Sequence, residues 1–185
     1  VGNCARRAII AIATAEEDSV ENPVIAEVRR GGIVESRHTG AWVVADAAGK
    51  LVATGGDQAR PVYPRSAIKV FQALPMIESG AADAFGFGDE ELSLACASHN
   101  GEEAHVRVAR GMLARAGLSE DQLECGAHWP LLAEAAHALA RAGGKPLAIH
   151  NNCSGKHAGM LALARHLGVE TTGYVDVSHP VQQKV

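Results

Sequence analysis

From residue 24 to residue 54 apolar and polar side chains alternate in short runs separated by glycine. The runs over 24–29 and 33–38 flank Gly31-Gly32, and those over 41–46 and 51–54 flank Ala47-Ala48-Gly49-Lys50. Period-two runs around an Asp/Gly-bearing turn predict a hairpin. Beyond Pro64 the period lengthens, and apolar residues recur at helical spacing over 66–77, 89–97, 102–116, 131–142 and 154–167. Pro75 is expected to kink or end the first of these. Gly117, Gly143-Gly144 and Gly168 stop the later ones, and the 154–167 segment reads as apolar on one face. Ser119-Glu120-Asp121-Gln122 has the form of a capping box opening a short helix. Strands first and helices afterwards predict an α+β fold, with an antiparallel sheet and a helical region rather than alternating βαβ units.

The two ends add expectations of their own. Ser178-His179-Pro180 looks like a helix start, with a Ser N-cap and Pro in the first turn. A helix that has only begun is an odd place for a domain to stop, so the chain is expected to be part of a longer one. At the other end, Arg6-Arg7 before an apolar run of about eight residues faintly resembles an export leader, but a frayed extension or first strand is the simpler reading. Residues 1–22 are therefore taken as an N-terminal extension and 23–185 as one domain.

Composition narrows the function classes. The 185 residues are 47% hydrophobic, which excludes a disordered polyelectrolyte, and no apolar run reaches the ~20 residues of a membrane span. With 17 Lys+Arg against 21 Asp+Glu and no dense basic cluster, neither nucleic acid nor an anionic membrane is the expected partner. Alanine and glycine far outnumber the seven aromatic residues (three Phe, two Trp, two Tyr), so the core must be closely packed from small side chains. Cys4, Cys96, Cys125 and Cys153 are dispersed without a CxxC pair, as expected of reduced thiols in a cytoplasmic protein.

Three stretches carry candidate chemistry. In Ser66-Ala67-Ile68-Lys69 the serine and lysine lie three apart, on one helical face, where a lysine kept neutral by burial can take a serine proton and create a nucleophile. The plain alternative is a surface serine beside a solvated lysine, but the apolar setting Ala67-Ile68-Lys69-Val70-Phe71 is a poor one for a solvated charge. Ser98-His99-Asn100 has the S-x-N form that accompanies SxxK in penicillin-type acyl-transfer enzymes, although a helix C-terminus often ends in such residues too. Asn151-Asn152-Cys153-Ser154-Gly155-Lys156-His157 sets polar heads and free N–H groups at a helix start. Cys153 and His157 there have the spacing of a metal-ligand pair, but a closed zinc site needs four ligands and no second pair is in view. Arg65, beside Ser66, is placed to bind a carboxylate.

Taken together, these stretches resemble the bacterial L-asparaginase II family of the Rhizobium type. The resemblance is carried by Arg30-Gly31-Gly32-Ile33-Val34-Glu35-Ser36, Tyr63-Pro64-Arg65-Ser66-Ala67-Ile68-Lys69-Val70-Phe71-Gln72, Ala97-Ser98-His99-Asn100-Gly101-Glu102, Cys125-Gly126-Ala127-His128-Trp129-Pro130 and His150-Asn151-Asn152-Cys153-Ser154-Gly155-Lys156-His157, in family order. It implies hydrolysis of L-asparagine to L-aspartate and ammonia, on a fold related to serine β-lactamases and glutaminases, in a homodimer. It makes Ser66, Lys69 and Ser98 catalytic, and Arg65, Asn100 and His157 substrate-binding. Cys153 and Lys156 match two ligands of a zinc site. The family's second lysine, second cysteine ligand and an accompanying aspartate would fall beyond Val185, so the chain is expected to match about the first half of such an enzyme. Two rival readings stand beside it. A penicillin-recognising serine hydrolase would share SxxK and S-x-N but lacks any K-T-G, and a metal- or amino-acid-binding module would leave Ser66 merely structural.

Overall fold

The computed structural model describes residues 21–185; the expected extension over 1–22, with Cys4 and the leader-like run, lies almost wholly outside them. The described chain forms two compact units, one up to Tyr63 and one from Pro64 onward.

In the first unit the glycine-broken alternation makes two antiparallel hairpins. Strand β1 (Val24–Arg30) pairs with β2 (Ile33–Thr39), and β3 (Trp42–Ala45) pairs with β4 (Leu51–Gly55). Arg30 faces Ile33 across the two-residue loop, whose first residue, Gly31, has φ +60°, a conformation that β-branched side chains avoid. In the second hairpin Asp46 Oδ1 accepts the N–H groups of Ala48 and Lys50, both at 2.9 Å, which closes the turn. The sequence predicts one antiparallel sheet. The ladders instead form two separate two-stranded sheets, because pairing stays between neighbouring runs.

The second unit is helical: α1 (Lys69–Glu78), α2 (Ala81–Ala84), α3 (Asp89–Cys96), α4 (Glu103–Arg115), α5 (Ala133–Arg141) and α6 (Ser154–Leu167). The core sits around α6, which packs on α1, α3 and α4. One apolar face is too narrow a description of this helix, since every residue from Ser154 to Ala164 except Lys156 is buried. Its small residues allow the close approach. A Cβ on Gly155 would come within 2.5 Å of the Leu94 carbonyl oxygen, so α3 touches the α6 backbone directly. Tyr174 and Val181, in the turns that follow α6, are fully buried against the same core.

Several boundaries differ from expectation. The 66–77 helix opens as a 3-10 turn (Arg65–Ile68) and becomes α-helical only at Lys69. Pro75 does not end it. The helix runs on to Glu78, because only one hydrogen bond is removed and it falls near the exposed Phe71. The predicted helix start at residue 178 is a series of turns in which the Gln183 N–H donates to the His179 carbonyl at 3.0 Å. The segment at 119–122 is a 3-10 turn (Glu120–Gln122), with the Ser119 N–H donating to Gln122 Oε1 at 3.1 Å. Among the described residues no helix is long and apolar enough to cross a membrane.

Candidate active site

The backbone bends sharply before Ser66. Arg65 has φ +49°, and it is the only non-glycine with positive φ among the described residues. Such a conformation costs of order 1–3 kcal/mol and persists where surrounding structure enforces it. The 3-10 turn that follows has three residues per turn and therefore stacks Ser66 over Lys69. Lys69, first residue of α1, is 3% exposed. After Cys96 the chain leaves α3 in an extended conformation at Ala97 and runs past this lysine. Lys69 Nζ donates to the Ala97 carbonyl at 2.6 Å and lies 2.7 Å from Ser98 Oγ. Ser98 Oγ in turn shares a 2.6 Å hydrogen bond with Ser66 Oγ. The spacing of SxxK suggests a direct meeting of the Ser66 hydroxyl with the Lys69 amine. The structure instead brings the amine to Ser98, which stands between them, and both hydroxyls reach the surface.

The loop that carries Ser98 is tied down on several sides. The His99 N–H donates to the Asn152 carbonyl at 3.1 Å, and the Asn100 carbonyl accepts the N–H groups of Leu131 and Leu132. His99 Nδ1 accepts the Gly101 N–H at 3.1 Å, which places the proton on Nε2. Nε2–H then donates to Ser154 Oγ, 2.9 Å away at the start of α6. Burial pushes the His99 pKa down to about 4, and the neighbouring His105, Lys69 and His128 act the same way. His105 stacks on it with ring centroids 5.1 Å apart. Asn100 is exposed beside Ser98. Of these partners, Ser154 has no signal in the sequence beyond its place at a helix start.

The third stretch builds the N-terminus of α6. Asn151 is a strut: its side-chain amide donates to the carbonyls of Cys125 and Gly126 at 2.7 and 3.0 Å, while its Oδ1 accepts the Cys153 N–H at 2.9 Å. Cys153 Sγ rests 3.5 Å from Asn152 Oδ1. Cys125 lies half-buried nearby, its thiol pushed up to about 11, mainly by burial. His157 is buried. Tyr174 Oη accepts the Glu124 N–H at 2.9 Å and is 2.7 Å from His157 Nδ1, to which its hydroxyl proton is donated. Desolvation lowers His157 to about 4 and raises Tyr174, so both stay neutral. Cys153 and Lys156 supply two donors. Among the described residues no three His, Cys, Asp or Glu side chains converge, so a closed four-ligand zinc site is not assembled from these residues.

A buried lysine bonded to one serine hydroxyl, itself bonded to a second, is equipment for taking a proton from a hydroxyl, as hydrolases of amides and esters require. The comparisons with known proteins agree with that class. The family model described as L-asparaginase II matches residues 26–185, while no curated protein matches the chain. The chain belongs to the L-asparaginase II family and is an amidohydrolase of L-asparagine.

Proposed function

We propose that the chain cleaves the side-chain amide of L-asparagine by acyl transfer through Ser66, Ser98 and Lys69. What carries the reading is the unbroken sequence of short hydrogen bonds from Ser66 Oγ to Ser98 Oγ to Lys69 Nζ. For turnover Lys69 enters as the free amine, held by its bond to the Ala97 carbonyl. As Ser66 Oγ attacks the amide carbon, its proton passes to Ser98 Oγ while the Ser98 proton passes to Nζ. Ser98 Oγ then gives its proton to the leaving nitrogen and takes one back from Nζ, the carbon–nitrogen bond breaks, and ammonia leaves. Water opens the Ser66 ester and releases aspartate. The Ser66 N–H lies in the first helical turn, where amides lack intrahelical partners, and is offered to the developing oxyanion; one good donor of this kind contributes roughly 3–4 kcal/mol.

In this reading Arg65 and Asn100 hold the substrate's charged and amide ends at the open side of the hydroxyl pair, and His157 acts from behind through α6. Cys153 and Lys156 are two of the donors a zinc ion would need; bound there, zinc would act as an electrostatic anchor for substrate, and no step above depends on it. A fold related to serine β-lactamases and glutaminases, a homodimer and a cytoplasmic location belong to the same proposal and rest on the family resemblance and the free thiols of Cys96, Cys125 and Cys153.

Ammonia release from L-asparagine tests the assignment, on the chain and on Ser66→Ala, Ser98→Ala and Lys69→Met. Each substitution is expected to lower turnover by at least about a thousandfold while leaving helical circular dichroism intact. Turnover retained in Ser66→Ala would remove Ser66 as the nucleophile, and turnover retained in Lys69→Met would end the relay.

A further inference from the structure

A cavity of about 510 Å³ opens between α4 and α5, apart from Ser66 and Ser98 and within the size range of small-molecule sites. Val106, Leu132, Ala135 and Leu139 give it apolar walls. His150 closes one side with a ring that is 8% exposed. Its Nδ1 accepts the Leu147 N–H at 3.0 Å, and burial lowers its pKa, so the ring is neutral with its proton on Nε2. Among the described residues Nε2 has no partner. The atom is not sealed from solvent, so the Nε2–H stands as an open donor in the cavity wall to which a ligand's acceptor can bond. The mouth is acidic: Glu102 and Glu103 stand there, while Arg110 is paired with Glu120.

We propose that this cavity is a second small-molecule site, taking a compact apolar ligand, neutral or cationic, whose single acceptor bonds the Nε2–H of His150. Asparagine, charged at both main-chain ends and without an apolar body, is not such a ligand, so the site stands independently of amide hydrolysis. An anionic ligand would meet the carboxylates at the mouth.

Acetophenone is a suitable probe, with an apolar ring and one carbonyl acceptor. Titrated into the full chain, it is expected to shift the NMR methyl signals of Val106, Leu132 and Leu139 saturably, and to move the His150 Nε2–H resonance downfield. Benzoate at equal concentration should leave both unmoved. Ala135→Leu fills the cavity from a helical position without loss of helix propensity, and is expected to abolish the methyl shifts. His150→Asn keeps an acceptor for the Leu147 N–H but lacks the Nε2 donor, and should weaken acetophenone roughly 2- to 10-fold. Should that variant fail to fold, the Nε2–H resonance of the unaltered chain reports the same bond. Absence of saturable shifts, shifts that survive Ala135→Leu, or an unmoved Nε2–H would overturn the proposal.

Discussion

The hairpins and the helices use apolar residues in opposite ways. In the strands Ile33 is 76% exposed, Val44 50% and Val52 67%, and no strand residue is buried. In α6 ten of fourteen residues are buried, with Leu161 and Ala162 wholly covered. A two-stranded ladder satisfies the inward-facing backbone groups by pairing alone, whereas a helix among helices holds its place by packing its side chains. Alternation in the sequence therefore specifies which strands pair and where they turn, but not what lies against their faces.

The largest test of this contrast is pH. The buried histidines His99 and His157 both lie in the helical unit and titrate near 4 when folded, whereas an unfolded histidine titrates near 6.5. Protons thus bind the unfolded chain first as pH falls, so the stability these residues hold is complete above 6.5 and lost progressively down to about 4. Each contributes roughly 3 kcal/mol to that loss, which together approaches the whole stability of an ordinary domain. Urea titrations at pH 7 and pH 4.5 should show the drop, and His157→Gln should reduce it. Stability unchanged between those two pH values would show that the histidines are solvated rather than enclosed.

This contrast also marks how much was legible in the sequence. The hairpins were legible because each depends on contacts a few residues apart, as with Asp46 and its turn amides. The longer helices were legible from periodicity and their glycine stops, whereas the four-residue α2 carries no such pattern. Residue type and spacing point to Ser66, Lys69 and Ser98, and the structure brings the three side chains together. That Ser98 would lie between hydroxyl and amine was not legible, because it depends on the extended exit from α3 at Ala97. The bonds of His99 to Ser154 and of His157 to Tyr174 span 55 and 17 residues, and no local pattern encodes them. The depth of α6 is hidden for a related reason: Gly155, Ala158, Gly159 and Ala162 read as weakly apolar, yet their small size is what lets neighbours pack closely around it.

A second test compares deletions of similar size in the two regions. Leu161→Ala removes a fully buried side chain and is expected to cost about 2–5 kcal/mol. Val52→Ala removes part of an exposed one and is expected to change stability by no more than about 0.5 kcal/mol. Urea unfolding measures both. Comparable costs would mean that the hairpin strands are covered in solution, and that their exposure is not the resting condition of the chain.

The smallest effects come from adding one carbon, and they sharpen the contrast within the helical unit itself. Gly111 sits in the interior of α4, where glycine costs roughly 0.5–1 kcal/mol against alanine, and Gly155 is the second residue of α6. At Gly155 a new Cβ would lie 2.5 Å from the Leu94 carbonyl oxygen and 2.9 Å from its carbonyl carbon, atoms of the α3 backbone that cannot rotate aside. Gly155→Ala therefore forces the α3 and α6 axes apart and is expected to destabilise by about 1–3 kcal/mol despite the better helix former. At Gly111 nothing lies within 4 Å of the new atom. Gly111→Ala is expected to stabilise by about 0.5–1 kcal/mol, since only the entropy of the unfolded chain changes. Thermal unfolding of the two variants should shift in opposite directions. A shift of the same sign would show that α6 yields to its neighbours as freely as a surface helix, and that the closeness of its packing does not hold the Ser98 loop in place.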